Sequence, residues 1–168
     1  HTQGIHPVYA RHFLRRVRYA EGDPLVEEHV ANGRHVEPCR YTPNTVVVSS
    51  VCRDRILDDY DEDLIEQADE IDVHTMLATQ AFVQRHFADN AISFSVNVPE
   101  GLDRHELKAA LMRWLPELKG TTVMVDGSRP QAPFERLDQQ TYELLKAGGA
   151  TEGSQAMDEC ANGACPVR

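Results

Sequence analysis

Between Asp72 and Val98 the spacing of apolar residues switches from the period of a helix to that of a strand, with only Asn90 between the two patterns. Val73, Met76, Leu77, Val83 and Phe87 mark one face of a helix over 72–89, and Asp72 stands where a capping residue is expected. After Asn90, residues 91–98 alternate: Ile92, Phe94, Val96 and Val98 share one face, and Ser93, Ser95 and Asn97 share the other. Pro99-Glu100-Gly101 turns the chain. Asp103 with Glu106 then forms a capping-box start for a helix through Leu107, Leu111, Trp114 and Leu115. Gly120 closes that helix, and 121–125 reads as a short strand.

The flanks extend the alternation. Residues 7–18 read as a helix, with Tyr9, Phe13, Leu14 and Val17 at helical spacing and arginines between them. A short helix follows from Pro24 and stops at Asn32-Gly33. Tyr41-Thr42-Pro43-Asn44 turns into Thr45-Val46-Val47-Val48, a β-branched run suited to a buried strand. A loop rich in proline and glycine leads to Phe134. A last helix spans about 138–146, with Leu137, Tyr142 and Leu145 inward. Helices alternating with strands indicate an α/β sheet or part of an α/β barrel. Three strands make a poor complete sheet, and the chain opens on His1 rather than a methionine. The expectation is a piece of a larger fold.

Charge narrows the function classes. The chain of 168 residues carries a formal charge of -10, which argues against general nucleic-acid binding. Its distribution is uneven: ten carboxylates face the single base Arg55 between Asp54 and Asp72, whereas Arg11, Arg15, Arg16 and Arg18 meet no acid in the first twenty residues. The acidic stretch 54–72 reads as a solvated surface insertion; the alternative is a docking surface for a basic partner. No apolar run is long enough to cross a membrane, so no membrane partner and a cytoplasmic location are expected.

From Gly148 onward the apolar pattern stops. Gly148-Gly149-Ala150-Thr151-Glu152-Gly153-Ser154 reads as a tether. It leads to Cys160-Ala161-Asn162-Gly163-Ala164-Cys165, where Asn162-Gly163 favours a tight turn that would bring two sulfurs within bonding reach. Twelve residues from Gly148 to Cys160 span roughly 17–21 Å as a flexible chain. A reversible dithiol on this tether is the leading reading. A zinc site would need more ligands than the pair supplies, so no metal is expected, and an inert terminal pair is the bland alternative. Asp158 and Glu159 disfavour a thiolate at Cys160 unless a partner supplies positive charge. Cys39 and Cys52 read as ordinary thiols. His6, between Ile5 and Pro7, has either a structural role or a substrate contact.

Taken in order, Gly4-Ile5-His6-Pro7, Phe13-Leu14-Arg15-Arg16-Val17-Arg18, Tyr41-Thr42-Pro43-Asn44-Thr45-Val46-Val47-Val48, Ala88-Asp89-Asn90-Ala91-Ile92-Ser93 and the closing Cys160…Cys165 resemble ribonucleotide reductase large subunits. The most similar branch is the adenosylcobalamin-dependent (class II) ribonucleoside-triphosphate reductases. The tyrosines at 9, 19, 41, 60 and 142 are never adjacent, unlike the radical-transfer pair of the iron branch, and no glycyl-radical motif is present. The resemblance implies the C-terminal portion of a ten-stranded α/β barrel over 1–147, with a redox tail at 148–168. It implies that Cys160 and Cys165 re-reduce an active-site disulfide and are themselves re-reduced by thioredoxin or a glutaredoxin-like donor. It further implies adenosylcobalamin as cofactor, a ribonucleotide substrate and the remainder of the barrel as partner, while His6 stays a candidate substrate contact on its own setting. The Asn-Pro-Cys-x-Glu loop of the radical cysteine does not occur, so the chain is not expected to reduce nucleotides alone. A stand-alone thiol–disulfide carrier and a non-enzymatic module built on the acidic stretch are the rival readings.

Overall fold

The computed structural model describes residues 4–148; the tail bearing Cys160 and Cys165 lies outside them. Those residues form two compact units, one from 4–9 and 63–128, the other from 10–62 and 129–148.

The second unit is built on a four-stranded antiparallel sheet of β1 (His12–Ala20), β2 (His35–Pro38), β3 (Thr45–Arg53) and β6 (Phe134–Leu137), in the order β2-β3-β1-β6. β1 and β3 pair along their whole length, from His12 opposite Arg53 to Ala20 opposite Thr45. Helix α1 (Pro24–Ala31) begins where the Asp23 side chain accepts from the Leu25 N–H, and α4 (Gln139–Ala147) begins where Asp138 accepts from the Thr141 N–H. Phe13, Val47, Val48, Val51, Cys52, Leu57 and Tyr142 fill the core of this unit.

The other unit contains α2 (Val73–His86), β4 (Ser95–Val98), α3 (Arg104–Trp114) and β5 (Thr122–Val125). β4 and β5 pair in parallel, so α3 is their crossover helix. The core joins Val73, Met76 and Leu77 of α2 to Ile92, Phe94, Val96 and Val98, with Ala110 from α3. Asp72 and Asp103 cap α2 and α3 through the N–H groups of Thr75 and His105.

The α/β class expected from the alternation is present, but several assignments change. Residues 7–18 are not a helix: 12–20 is the central strand β1. Its buried face carries Phe13, Arg15 and Tyr19, and Arg15 is only 8% exposed. An arginine at that inward position interrupts the apolar alternation and leaves a false helical spacing. β2 and β6 are strands that the periodicity does not predict. β3 continues five residues beyond Val48, whereas the strand expected over 91–98 is confined to Ser95–Val98. All four β4 residues are buried, Ser95 and Asn97 included, as in parallel strands covered on both faces. Two side chains expected inward point outward: Phe87 is 77% exposed and Leu145 is also exposed. Phe87 is the C-cap of α2, with φ -132, and so leaves the helical path.

The acidic stretch is folded. Asp54 caps a 3-10 turn at Arg55–Asp58, Arg53 pairs with Asp58 at 2.6 Å, and Leu57 and Ala68 are buried. Among the described residues, no helix is long and apolar enough to cross a membrane.

Candidate functional site

His6 is held against the entry to β4. The Ile5 N–H donates to the Ser93 carbonyl at 3.1 Å, and the Ser95 N–H donates to His6 Nδ1 at 3.1 Å. His6 Nε2 lies 3.3 Å from Ser93 Oγ. An Nδ1 that accepts from a backbone amide belongs to a neutral imidazole carrying its proton on Nε2, which then donates to the serine oxygen. The ring packs so closely on Gly4 that a Cβ there would stand 2.6 Å from Nε2 and 2.7 Å from Cδ2. The Gly-Ile-His order is thus explained: glycine admits the ring, isoleucine reaches the core cluster, and histidine ties the segment to the strand.

Arg16 and Arg18 share the opposite face of β1 from Arg15, and both brace the segment leading into β6. Arg16 pairs with Glu135 at 2.6 Å and also donates to the Ala132 carbonyl. Arg18 donates to the Gln131 carbonyl at 3.1 Å. Gln131 adopts φ 53 and is nearly buried; its amide donates to the Pro38 carbonyl and accepts from the Arg40 N–H. Two strands and a loop are therefore joined around one glutamine.

Cys39 borders this arrangement and differs from the ordinary thiol expected of it. Its pKa is lowered from 9.0 to about 7, first by the Tyr41 backbone N–H and further by Arg18 and by Thr42, against an opposing effect of burial. At neutral pH a large share is thiolate, the nucleophilic form. Cys52 is fully buried in β3, with its Sγ 3.9 Å from the Ser50 carbonyl.

His12 was not singled out by sequence, because nothing around it has a motif spacing. It is 5% exposed, stacks on Tyr142 with ring centroids 4.3 Å apart, and places Nδ1 3.9 Å from Glu62. Burial lowers its pKa below 6.5; Glu62 and Glu143 oppose that shift, while Arg53 and Arg11 reinforce it.

The described residues thus bring His6 to Ser93 and Ser95, and place Cys39, its pKa lowered, beside Arg18. Cys160 and Cys165 fall outside them. No group of three or more His, Cys, Asp or Glu side chains among the described residues could hold a metal ion.

Comparison with known proteins gives these local features a frame. No protein-family model matches the chain. A Mycobacterium phage D29 protein, assigned by inference as an adenosylcobalamin-dependent ribonucleoside-triphosphate reductase, is 36% identical over 99% of this chain and 26% of its own length. The adenosylcobalamin-dependent ribonucleoside-triphosphate reductase of Lacticaseibacillus paracasei is 31% identical over 99% of the chain and 24% of its own length. Among solved structures, a B12-dependent (class II) ribonucleotide reductase is similar with a TM-score of 0.63 and 28% identity, over 89% of this chain and 20% of the other. The chain spans about a quarter of the length of the curated relatives it matches.

Proposed function

We propose that this chain, similar along 99% of its length to adenosylcobalamin-dependent ribonucleoside-triphosphate reductases and about a quarter as long, is a segment of such an enzyme. In this reading it supplies the end of a ten-stranded α/β barrel and a tethered dithiol. The observation that carries the proposal is the similarity over 99% of the chain, which has Gly4-Ile5-His6-Pro7 near one end and Cys160…Cys165 near the other. The β4-α3-β5 crossover supports the barrel, because parallel strands joined by a helix are its repeating unit.

The overall reaction replaces the ribose C2′–OH bond by C2′–H and releases water. Two electrons come from a dithiol in the active site, which becomes a disulfide. A thiolate of the Cys160/Cys165 pair attacks that disulfide and forms a mixed disulfide. The second thiol of the pair then displaces the active-site sulfur, restoring the active-site dithiol and leaving Cys160–Cys165 oxidised. Thioredoxin or a glutaredoxin-like donor reduces the pair for another cycle.

Adenosylcobalamin, on which the relatives depend, supplies the radical that starts the reaction. Two histidines of this segment have other work: both ring nitrogens of His6 are engaged, and His12 is buried against Tyr142. In this reading the cofactor is held mainly by parts of the enzyme outside this segment. His6 binds at the amino end of β4, whereas ligands of parallel α/β sheets sit beyond the carboxyl ends of the strands. That placement supports positioning over direct substrate contact.

The test mixes this chain with the remaining three-quarters of the phage D29 relative, adenosylcobalamin, a ribonucleoside triphosphate and a thioredoxin system. Wild type should turn over repeatedly, and Cys160→Ser or Cys165→Ser should stop near one turnover. Undiminished turnover in both variants would remove the shuttle role. No reduction in any mixture would count against the reductase reading itself. A raised KM with unchanged kcat in His6→Ala would restore the substrate contact.

A further inference from the structure

Helix α2 carries apolar side chains on two faces, and its buried face, built on Val73, Met76, Leu77 and Ala81, is not wholly apolar. Its buried face holds Gln80, fully buried, and Gln84, nearly so. Their amide nitrogens are satisfied by backbone carbonyls of Gly120, Ala88 and Asn90, while neither Oε1 has a hydrogen-bond partner. Its outer face ends in aromatic rings. Phe82 is 57% exposed and Phe87 77% exposed, and His86 stands between them. The three rings form one cluster: Phe82–His86 centroids are 4.7 Å apart, Phe82–Phe87 6.1 Å and His86–Phe87 6.5 Å. A helix apolar on two faces is one covered on both sides.

Charged pairs flank the cluster. Arg85 bonds Glu117, Arg113 also reaches Glu117 at 3.0 Å, and Lys119 donates to the Asp89 carbonyl. A packed aromatic centre with a polar rim is the composition of a protein–protein hot spot, not of an ordinary solvated surface. It is also too closely spaced to be scattered surface hydrophobics.

We infer that the Phe82–His86–Phe87 cluster is a docking surface, and that its occupant is the complementary portion of the reductase polypeptide. The inference rests on the reading of the chain as a reductase segment. The choice of occupant follows from length: the relatives have about three-quarters of their residues outside the part this chain matches, so a much larger body remains to cover the exposed rings. The rings then pack into an apolar recess of that body, while Arg85, Arg113 and Glu117 set the rim.

The experiment measures binding of the full 168-residue chain to the remaining three-quarters of the phage D29 relative. The D29 protein's own matching quarter serves as a control that the larger piece is competent. Wild type should bind. The double variant Phe82→Ser/Phe87→Ser should melt like wild type, because both rings are exposed, yet bind at least about tenfold more weakly. A serine substitution at Leu144, exposed on α4 in the other unit, should leave binding unchanged. Unaltered binding by the double variant would overturn the docking surface and leave the reductase reading standing. Loss of self-association of the chain, with binding to the larger piece unchanged, would make a second copy the occupant and overturn the inference. Failure of wild type to bind a competent control partner would overturn both.

Discussion

Replacing Gly4 by alanine tests the His6 geometry directly. The new Cβ would lie 2.6 Å from His6 Nε2, well inside contact distance, with the Ser93 carbonyl 3.3 Å away on another side. The backbone there is tied by the Ile5 N–H to Ser93, so the imidazole must swing aside. The Ser95 N–H, in a strand buried throughout, then loses its acceptor at Nδ1, and the Ser93 hydroxyl loses Nε2. Removing the acceptor of a buried amide costs about 1–3 kcal/mol. Trp114 is the sole tryptophan and packs on the core of this unit, so its fluorescence reports unfolding there. Denaturant titration should show Gly4→Ala less stable by about that amount. His6→Ala should cost a similar amount. The double variant should cost little more than His6→Ala alone, because without the ring a methyl at position 4 meets only the Ser93 carbonyl oxygen, at 3.3 Å. Costs that add to within about 0.5 kcal/mol would refute the argument, since they would show that the two positions act independently.

Three further outcomes are expected. Alkylation of Cys39, followed by peptide mapping, should rise through a midpoint near pH 7, with Cys52 protected until unfolding; Arg18→Gln should move the midpoint upward. Because burial lowers the folded-state pKa of His12, the unfolded chain binds its proton more readily. Stability of the four-stranded unit should therefore be intact above pH 6.5 and decline as pH falls from 6.5 toward the folded-state value; His12→Phe, which keeps the stack on Tyr142, should flatten that decline in acid denaturation profiles. Asp72→Ala removes the cap from α2 and should cost about 1 kcal/mol in thermal melts, whereas Asp72→Ser should recover most of it.

Features decided within a few residues were legible in the sequence. Asp72 and Asp103 cap helices as their positions suggest, the last helix starts just after Asp138, and Pro24 opens α1. Thr45–Val48 was recognised because four β-branched residues in a row have little other use. What failed depended on partners distant in the chain. The spacing within β1 imitates a helix because Arg15 occupies an inward position, a placement that only its neighbours in space can justify. β6, only four residues long, becomes a strand by pairing with β1 more than a hundred residues earlier. The depressed pKa of Cys39 comes first from the Tyr41 backbone N–H, a matter of how the turn after β2 folds and not of residue type, and further from Arg18 on β1 and from Thr42. Phe87 fits the helical spacing, but the backbone leaves the helix at that residue. The resemblance to the reductases succeeded where periodicity did not, because ordered short motifs survive even when their secondary structure is misread.

The pairing of β1 with β6 also has a consequence for biosynthesis. Leu14 finds its partner at Glu135, after the whole 63–128 segment has been made. At about 5–20 residues per second, roughly 6–25 s pass between completion of β1 and release of β6 from the ribosome. Throughout that interval one edge of β1 lacks its β6 partner. Arg16 and Arg18, which later brace the segment leading into β6, stand on the strand during the wait, and charged side chains at an unfinished edge discourage pairing with the wrong chain. The same two arginines would thus guard the nascent sheet before they fasten the finished one.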